Sequence, residues 1–352
     1  MQGKGERKIV SSKDVARLAG CSQSTVSRVL NRPESVHPDK RERVLQAIEA
    51  LQYKPNMAAR SLVAKQTYTI ALISGTLRND FFAESTDRIV EYARKQGYRT
   101  IVYFESEGSL GDILAQVRSY KVDGILISCM KLEDPHYEAF ATCGIPCIWF
   151  NRRHKRGGNY ISMDNITAAS MLTRHLLDLG HRSIAYLSGH RDISTLDERW
   201  TGFEAAMQDA GVPIAEDQVH FLDPEDSAIQ KLTWKLMQRL TPPTALVCGH
   251  DELAIVCMDA LLSMGLRIPE DVSVAGFDDI RMSGHQAIQL TSVGQHRFDM
   301  GEVAAEQLIA LMHAEAGKEQ SVIQFRCKPE LFVRKSTGPV RTEQEKARNG
   351  RI

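Results

Sequence analysis

The sequence predicts an α/β protein: a small three-helix head, a hinge, and a bilobed body of two doubly wound parallel sheets. Three observations carry this. Residues 10–31 scan as two short helices broken by a tight turn. From Thr69 onward, short apolar runs alternate with amphipathic stretches of helical length, the pattern of βαβ units. Charge divides at the same place. Residues 1–66 hold thirteen Lys or Arg against six Asp or Glu, so +7, and the remainder carries −7, although the 352-residue chain has no net charge. A basic head on an acidic body points to a polyanion partner for the head alone.

In the head, Ser11 with Asp14 is a helix-start signature, since hydroxyl and carboxylate satisfy free amides. Val15, Leu18 and Ala19 repeat at helical spacing as one apolar face. Gly20 can take the left-handed conformation that ends a helix, and Ser22 can cap the next. Val26, Val29 and Leu30 form the buried stripe of the second helix. Gln23, Ser24, Thr25, Ser27, Arg28 and Asn31 are left on its outer face, and such side chains read base edges and phosphates. An ordinary helical hairpin with a polar surface has the same outline. A third helix runs from about Pro38 to Leu51, with Val44, Leu45, Ile48 and Leu51 on one face. Lys54-Pro55-Asn56 breaks it. Met57 to Ala64 is too short for a stable isolated helix in water and reads as a hinge that folds when held by a partner chain and DNA. A plain linker is the alternative.

In the body, strands are predicted at 70–74, 100–104, 124–128 and 147–150, with helices at 83–96, 109–120 and 134–142 between them. A second round follows: helices at 165–179, 198–210, 226–240 and 251–264, and strands at 183–188, 219–222, 245–248 and 272–277. Ligands bind such sheets beyond the carboxyl ends of the strands, so the cleft between lobes is the expected site. Seven scattered cysteines, with no Cys-x-x-Cys pair, fit small buried thiols in a reducing compartment. Cys143 and Cys147 flank Gly144-Ile145-Pro146, but no His cluster completes a metal site, and packing explains them best. His175 and His181 are read as packing and turn-capping groups. No signal peptide and no apolar run near the ~20 residues that span a bilayer is evident, so a cytoplasmic, nucleoid-bound protein without membrane contact is expected.

Asp14-Val15-Ala16, the run Ser22-x-x-Thr25-Val26-Ser27-Arg28-Val29-Leu30-Asn31, and Tyr53-x-Pro55-Asn56-x-x-Ala59-Arg60-x-Leu62 keep their order over about fifty residues. Together they resemble the signature of the lactose-repressor (LacI/GalR) family. The resemblance implies a helix-turn-helix DNA-binding domain at 1–55, a hinge helix or linker at 56–67, and a periplasmic-binding-protein-like body at 68–340. Lobe 1 would take about 68–167 with 297–326, and lobe 2 about 168–296 with 327–340, followed by a charged tail at 341–352. The tail lacks the leucine heptads with which some relatives form tetramers, so a homodimer on a near-palindromic operator is expected.

By resemblance, Gln23 and Ser24 occupy the most discriminating positions of the second helix. Ser11, Ser12 and Asn31 are phosphate or edge contacts, and Asn56 and Ala59 help place the hinge. Arg28 is equally suited to guanine and to phosphate. Leu62 is the leucine that wedges between base pairs in the minor groove, with Val63 standing where some relatives carry a basic residue. The effector set carried over by motif is Phe82, Asn151, Arg152, Asp164, Thr195, Arg199, Asp223, His250 (or Asp251) and Asp278. Carboxylates and an Arg around an apolar floor suit hydroxyl-rich ligands. Asp278 and Arg199 are the leading pair, although either could cap a helix or form a surface ion pair. A related purine-sensing member has an acid and an aromatic ring where this chain has Asn151 and Arg152, which argues against a purine; Arg152 and Arg199 together make a sugar acid or sugar phosphate a candidate beside neutral sugars.

No cofactor is expected. Two rival classes share parts of this pattern. A periplasmic-type sugar-binding protein shares the body but not the basic head. An enzyme would need a phosphate loop, a Gly-x-Gly-x-x-Gly turn or a Gly-x-Ser-x-Gly elbow, and none occurs; Asp278-Asp279 reads better as a ligand-holding acid beside a helix-start acid. Leu62→Ala is expected to lower specific operator affinity at least about tenfold in gel-shift titrations while sparing non-specific DNA; equal loss on both DNAs would refute the wedge.

Overall fold

The computed structural model describes residues 10–31, 33–53, 66–77, 79–105, 110–223, 225–295, 300–314 and 321–341. Asn56, Ala59, Leu62, most of the hinge and residues 342–352 of the tail lie outside these. The chain divides into two units, Met1–Thr67 and Tyr68–Ile352.

The first unit contains α1 (Ser12–Leu18), α2 (Gln23–Asn31) and α3 (Pro38–Ala50). Ser11 opens α1, with both its amide (3.0 Å) and its hydroxyl (2.6 Å) donating to Asp14 Oδ2. Gly20 ends α1 at φ +62°. Ser22 Oγ then accepts the Thr25 amide at 3.2 Å to start α2. The core is Val15, Ala16, Ala19, Val26, Val29, Val44 and Ala47. Leu18 and Leu45, expected inside, are 57% and 43% exposed. The inward stripe instead uses Ala16 and Ala47, small residues that let three short helices approach closely.

The second unit holds two six-stranded sheets in two lobes. Lobe 1 begins with β1 (Thr69–Ser74), α4 (Asp80–Lys95), β2 (Arg99–Phe104), α5 (Leu110–Ser119) and β3 (Gly124–Ile127). It continues with α6 (Tyr137–Ala141), β4 (Cys147–Phe150) and β5 (Tyr160–Met163). The chain then crosses to lobe 2: α7 (Asn165–Asp178), β6 (Ile184–Ser188), α8 (Ser194–Asp209), β7 (Val219–Phe221), α9 (Asp226–Met237), β8 (Ala245–Cys248), α10 (Asp251–Ser263), β9 (Ser273–Phe277) and β10 (Thr291–Gly294). It returns to lobe 1 for α11 (Met300–His313) and β11 (Gln324–Cys327), and ends in lobe 2 with β12 (Glu330–Phe332). The sheet orders are β11-β5-β4-β3-β1-β2 and β12-β10-β9-β8-β6-β7. Among the described residues, every pairing between these strands is parallel except β10 with β12.

Both faces of each sheet are covered, as parallel sheets require. Ile70 and Leu72 of β1 pack with α4 and α11, while Ala71 and Ile73 pack with α5 and α6. In lobe 2, α7 and α8 cover one face and α9 and α10 the other. β5 and β10 were not anticipated from the sequence. The helix predicted at 134–142 is shorter, because Asp134 Oδ1 accepts the His136 amide at 2.9 Å in a side-chain turn that delays its start. No helix among the described residues is long and apolar enough to cross a membrane.

At the α7–α8 crossing, a Cβ on Gly202 would collide with the Ile166 carbonyl and sit 2.9 Å from Ala169 Cβ. Gly202→Ala should therefore destabilise the body by about 1–3 kcal/mol through overpacking, read as a lowered urea midpoint; an unchanged midpoint would show that the crossing can relax.

Candidate functional site

Arg199, on α8, is the largest fully buried side chain among the described residues, only 2% exposed. A guanidinium cannot lose its charge, so its burial has to be met by acceptors. Three elements supply them. Nε donates to Asn165 Oδ1 at 3.0 Å, Nη1 to the Gly249 carbonyl at 2.7 Å, and Nη2 to Asp278 Oδ1 at 2.6 Å. The Phe277 ring lies 4.7 Å from its Cζ, adding a cation–π contact. Asp278 follows β9 at φ +101°, a left-handed backbone that turns the chain at the carboxyl end of the strand. Its carboxyl is 11% exposed, and Oδ2 has no partner among the described residues.

This pair borders a cavity of about 410 Å³ between the lobes. Phe81, Arg88, Asn151 and Met163 line it from lobe 1; Arg199, Asp278, Asp279 and Arg281 line it from lobe 2. Phe81 stacks on Phe150, with ring centroids 6.3 Å apart and planes 7° from parallel. Asn151, at the end of β4, has φ +62°. Its carbonyl accepts Thr195 Oγ1 across the lobes at 2.7 Å.

The sequence-derived set is thus partly assembled. Asn151, Arg199 and Asp278 line the cavity, and Thr195 braces Asn151. Phe82 and Arg152 are neighbours, with Arg152 Cζ 5.9 Å from the ring, but the cavity wall is Phe81. Arg152 Nη1 is bonded to the Cys129 carbonyl at 2.8 Å. Asp164 caps α7, accepting the Thr167 amide (3.2 Å) and hydroxyl (2.8 Å). His250 caps α10 through Nδ1, which accepts the Leu253 amide at 3.2 Å. Burial lowers its pKa, which favours the neutral ring, and in that form the accepting Nδ1 leaves the proton on Nε2. Asp223 does not join the others: its side chain is 89% exposed and lies 3.3 Å from His190. It follows β7, the edge strand, and that position leaves it on the surface.

Sequence reasoning missed Asn165, Glu198, Glu252 and the cavity residues Phe81, Arg88 and Arg281. Asn165 fixes Arg199 and also donates to Glu198 at 3.3 Å. Glu198, buried, binds Arg153 of lobe 1 at 2.7 Å and Arg326 at 3.5 Å. Glu252, at the start of α10, accepts Asn79 Nδ2 at 2.7 Å and the Asp80 amide at 2.8 Å, the first donors of α4. For Glu252 the available signal was its place in a first helical turn, which reads equally as a dipole complement.

In the head, Gln23, Ser24 and Arg28 are exposed on α2, with Thr25 and Ser27 half-buried. Gln23 Nε2 reaches back to Ser12 Oγ at 2.9 Å, and Arg28 Nε lies 3.4 Å from the Ser24 carbonyl. Ser24 and Thr25 share Ser22 Oγ at 2.8 and 2.9 Å. The hydroxyl of Ser11 is committed to Asp14. The result is a polar helix face already held in one arrangement.

Residues 12–56 match the model for "Bacterial regulatory proteins, lacI family", and residues 173–337 match "Periplasmic binding protein-like domain". The HTH-type transcriptional repressor PurR of Histophilus somni (strain 129Pt) is 32% identical over 330 residues, covering 92% of this chain and 98% of that one. Among solved structures, the lac repressor dimer bound to operator and the anti-inducer ONPF superposes with a TM-score of 0.82 at 27% identity, over 94% of this chain and all of that one. The complex of the transcriptional regulator CelR with cellobiose gives 0.69 at 27% identity, over 93% and 99% of the two chains.

Behind the cavity, Asp251 is buried under Ser283 Oγ (2.6 Å), Ser292 Oγ (2.7 Å) and the Ile280 amide (3.1 Å). Burial, then the Asp278 carboxylate, push it up to about 8, against those donors, which pull it down. The folded chain thus favours the protonated acid. Its stabilising contribution is whole below the ordinary carboxylate range near pH 4 and is lost as pH rises toward 8. Between pH 5 and 8 the unfolding free energy should fall more steeply for the wild type than for Asp251→Asn, by up to about 1.4 kcal/mol per pH unit. Parallel profiles would mean that Asp251 is already ionised.

Proposed function

The chain belongs to the lacI family of bacterial transcriptional regulators, and we propose that it is a homodimeric repressor of carbon-metabolism genes controlled by a sugar-like effector between its lobes. It is a DNA-binding repressor with an effector-binding type of body, in a family of regulators and not of enzymes. On this reading, residues 1–55 form the DNA head, 56–67 the hinge, 68–340 the effector and dimer body, and 341–352 a tail. A near-palindromic operator is read by two copies of α2, with Gln23, Ser24 and Arg28 at base edges and Ser12, Thr25, Ser27 and Asn31 at phosphates or base edges, while Ser11, its donors held by Asp14, sets the start of α1. Asn56 and Ala59 would place the hinge so that Leu62 enters the minor groove. The protein acts on the nucleoid.

The observation that carries the effector reading is the Arg199–Asp278 pair in the cavity between lobes. Asp278 keeps Oδ2 for a ligand hydroxyl, and Phe81 offers the flat apolar face on which a sugar ring packs. Arg152 and Arg199 are not placed to meet the acid group of a sugar acid or phosphate. Arg199 is matched by Asp278 and Arg152 lies off the lining, so an acid group would be met by Arg281. Phe81 also favours a second reading, a planar heterocycle stacked in the same place. Effector binding then changes operator affinity by its differential affinity for the two lobe arrangements.

Titration calorimetry with neutral sugars, sugar acids, sugar phosphates and purine bases tests this. Binding of a sugar or sugar derivative that alters the operator gel shift supports the proposal; a response to purines alone overturns it. Asp278→Asn should weaken the bound sugar at least about tenfold and leave the operator shift unresponsive to it, since a charged acceptor of its hydroxyls is lost.

A further inference from the structure

Two cysteine pairs stand within sulfur–sulfur contact. Cys248 and Cys257 are 3.8 Å apart and wholly buried in lobe 2. Cys143 and Cys147 are 3.9 Å apart in lobe 1, and only this second pair has a member reached by solvent. Cys147 is the first residue of β4 and buried; Cys143 follows α6 and is half-buried. Between them Gly144 turns the chain at φ +77° with nothing near its Cα face. Cys147 Sγ also lies 3.1 Å from the Ile145 carbonyl and 3.7 Å from that of Phe140.

From this geometry we propose that Cys143 and Cys147 form an oxidisable dithiol, a modification site in which an exposed attacking sulfur is backed by a buried resolving one. A closure of about 2 Å brings the sulfurs to bonding distance, a move that side-chain rotation in a three-residue turn containing glycine can supply. Cys143 has the chemistry of the attacking group. The hydrogen bond from Cys147, foremost, holds its thiol down to about 6, assisted by Ile145 and the Arg118 charge, so near neutral pH it is largely thiolate. Cys147 is correspondingly pushed up and remains a thiol until needed. The buried lobe 2 pair lacks access.

The oxidant is a peroxide. Cys143 thiolate attacks one peroxide oxygen, the O–O bond breaks, and the departing oxide takes a proton to leave as water or an alcohol. Sulfur gives up two electrons and becomes sulfenic acid. Cys147 sulfur then attacks that sulfur, the S–S bond forms, and the hydroxyl leaves as water with the Cys147 proton. A low-molecular-weight dithiol reverses the step by exchange, itself becoming the disulfide. Such bonds in a reducing compartment are transient and redox-sensing in kind, not structural.

The full chain treated with hydrogen peroxide, then alkylated and mapped by mass spectrometry, tests this. The expected result is a loss of two hydrogens in the segment spanning Cys143 and Cys147, reversed by dithiothreitol, while Cys248 and Cys257 stay alkylatable only after denaturation. Cys147→Ser should accumulate a sulfenic acid on Cys143 that dimedone traps, and Cys143→Ser should leave Cys147 at least about tenfold less oxidised. Cys143 and Cys147 both remaining alkylatable after peroxide, or Cys143 passing to sulfinic acid in the wild type without the disulfide, would overturn the proposal.

Discussion

The buried guanidinium of Arg199 is the constraint around which lobe 2 is arranged. Its charge is permanent, so the chain must bring acceptors to it from α7, β8 and β9 at once. That requirement fixes the start of one helix and the ends of two strands relative to each other. It also explains the left-handed backbone at Asp278, which presents the carboxylate where a β conformation would carry it past. The neighbouring Asp279 is likewise tied down, to Arg334 at 2.5 Å. Two successive carboxylates with separate arginine partners make the end of β9 a rigid edge, against which a ligand can be oriented.

The alternation of strands and helices was legible because central parallel strands are apolar on both faces. Ile70–Ser74, Gly124–Ser128 and Ala245–Cys248 declare themselves that way. Thr291–Gly294 does not. It has a single large apolar residue, and its hydroxyls are satisfied in ways only the fold supplies: Ser292 by Asp251, Thr291 by Thr337 at 2.8 Å. Tyr160–Met163 is hidden because the polar Ser162 is among its buried residues. Leu18 and Leu45 failed differently. Helical periodicity gave a stripe, but the tight three-helix core admits alanines where the stripe offered leucines.

At the site, Arg199 and Asp278 could be named from sequence because a motif fixes their positions, and the structure puts them 2.6 Å apart. Asp223 could not be judged that way, since whether a strand end faces a cleft or solvent depends on its place in the sheet. Phe81 and Phe82 are adjacent in sequence, and one residue of helical rotation decides which of them lines the cavity. Asn165 and Glu198 act by orienting other side chains, a role that carries no local pattern.

Besides the Thr195 hydroxyl on the Asn151 carbonyl, the lobes are joined by donors of lobe 1 meeting carboxylates of lobe 2: Asn79 and the Asp80 amide on Glu252, Arg153 and Arg326 on Glu198. Glu252 is held above the ordinary carboxylate range, by burial first. As acidity increases it therefore takes up a proton earlier than an exposed glutamate does, and the leading turn of α4 loses the anion it was bound to. Acidification thus weakens this clasp before it would neutralise an exposed glutamate, so that solvent, and not only a ligand, bears on how firmly the lobes are fastened.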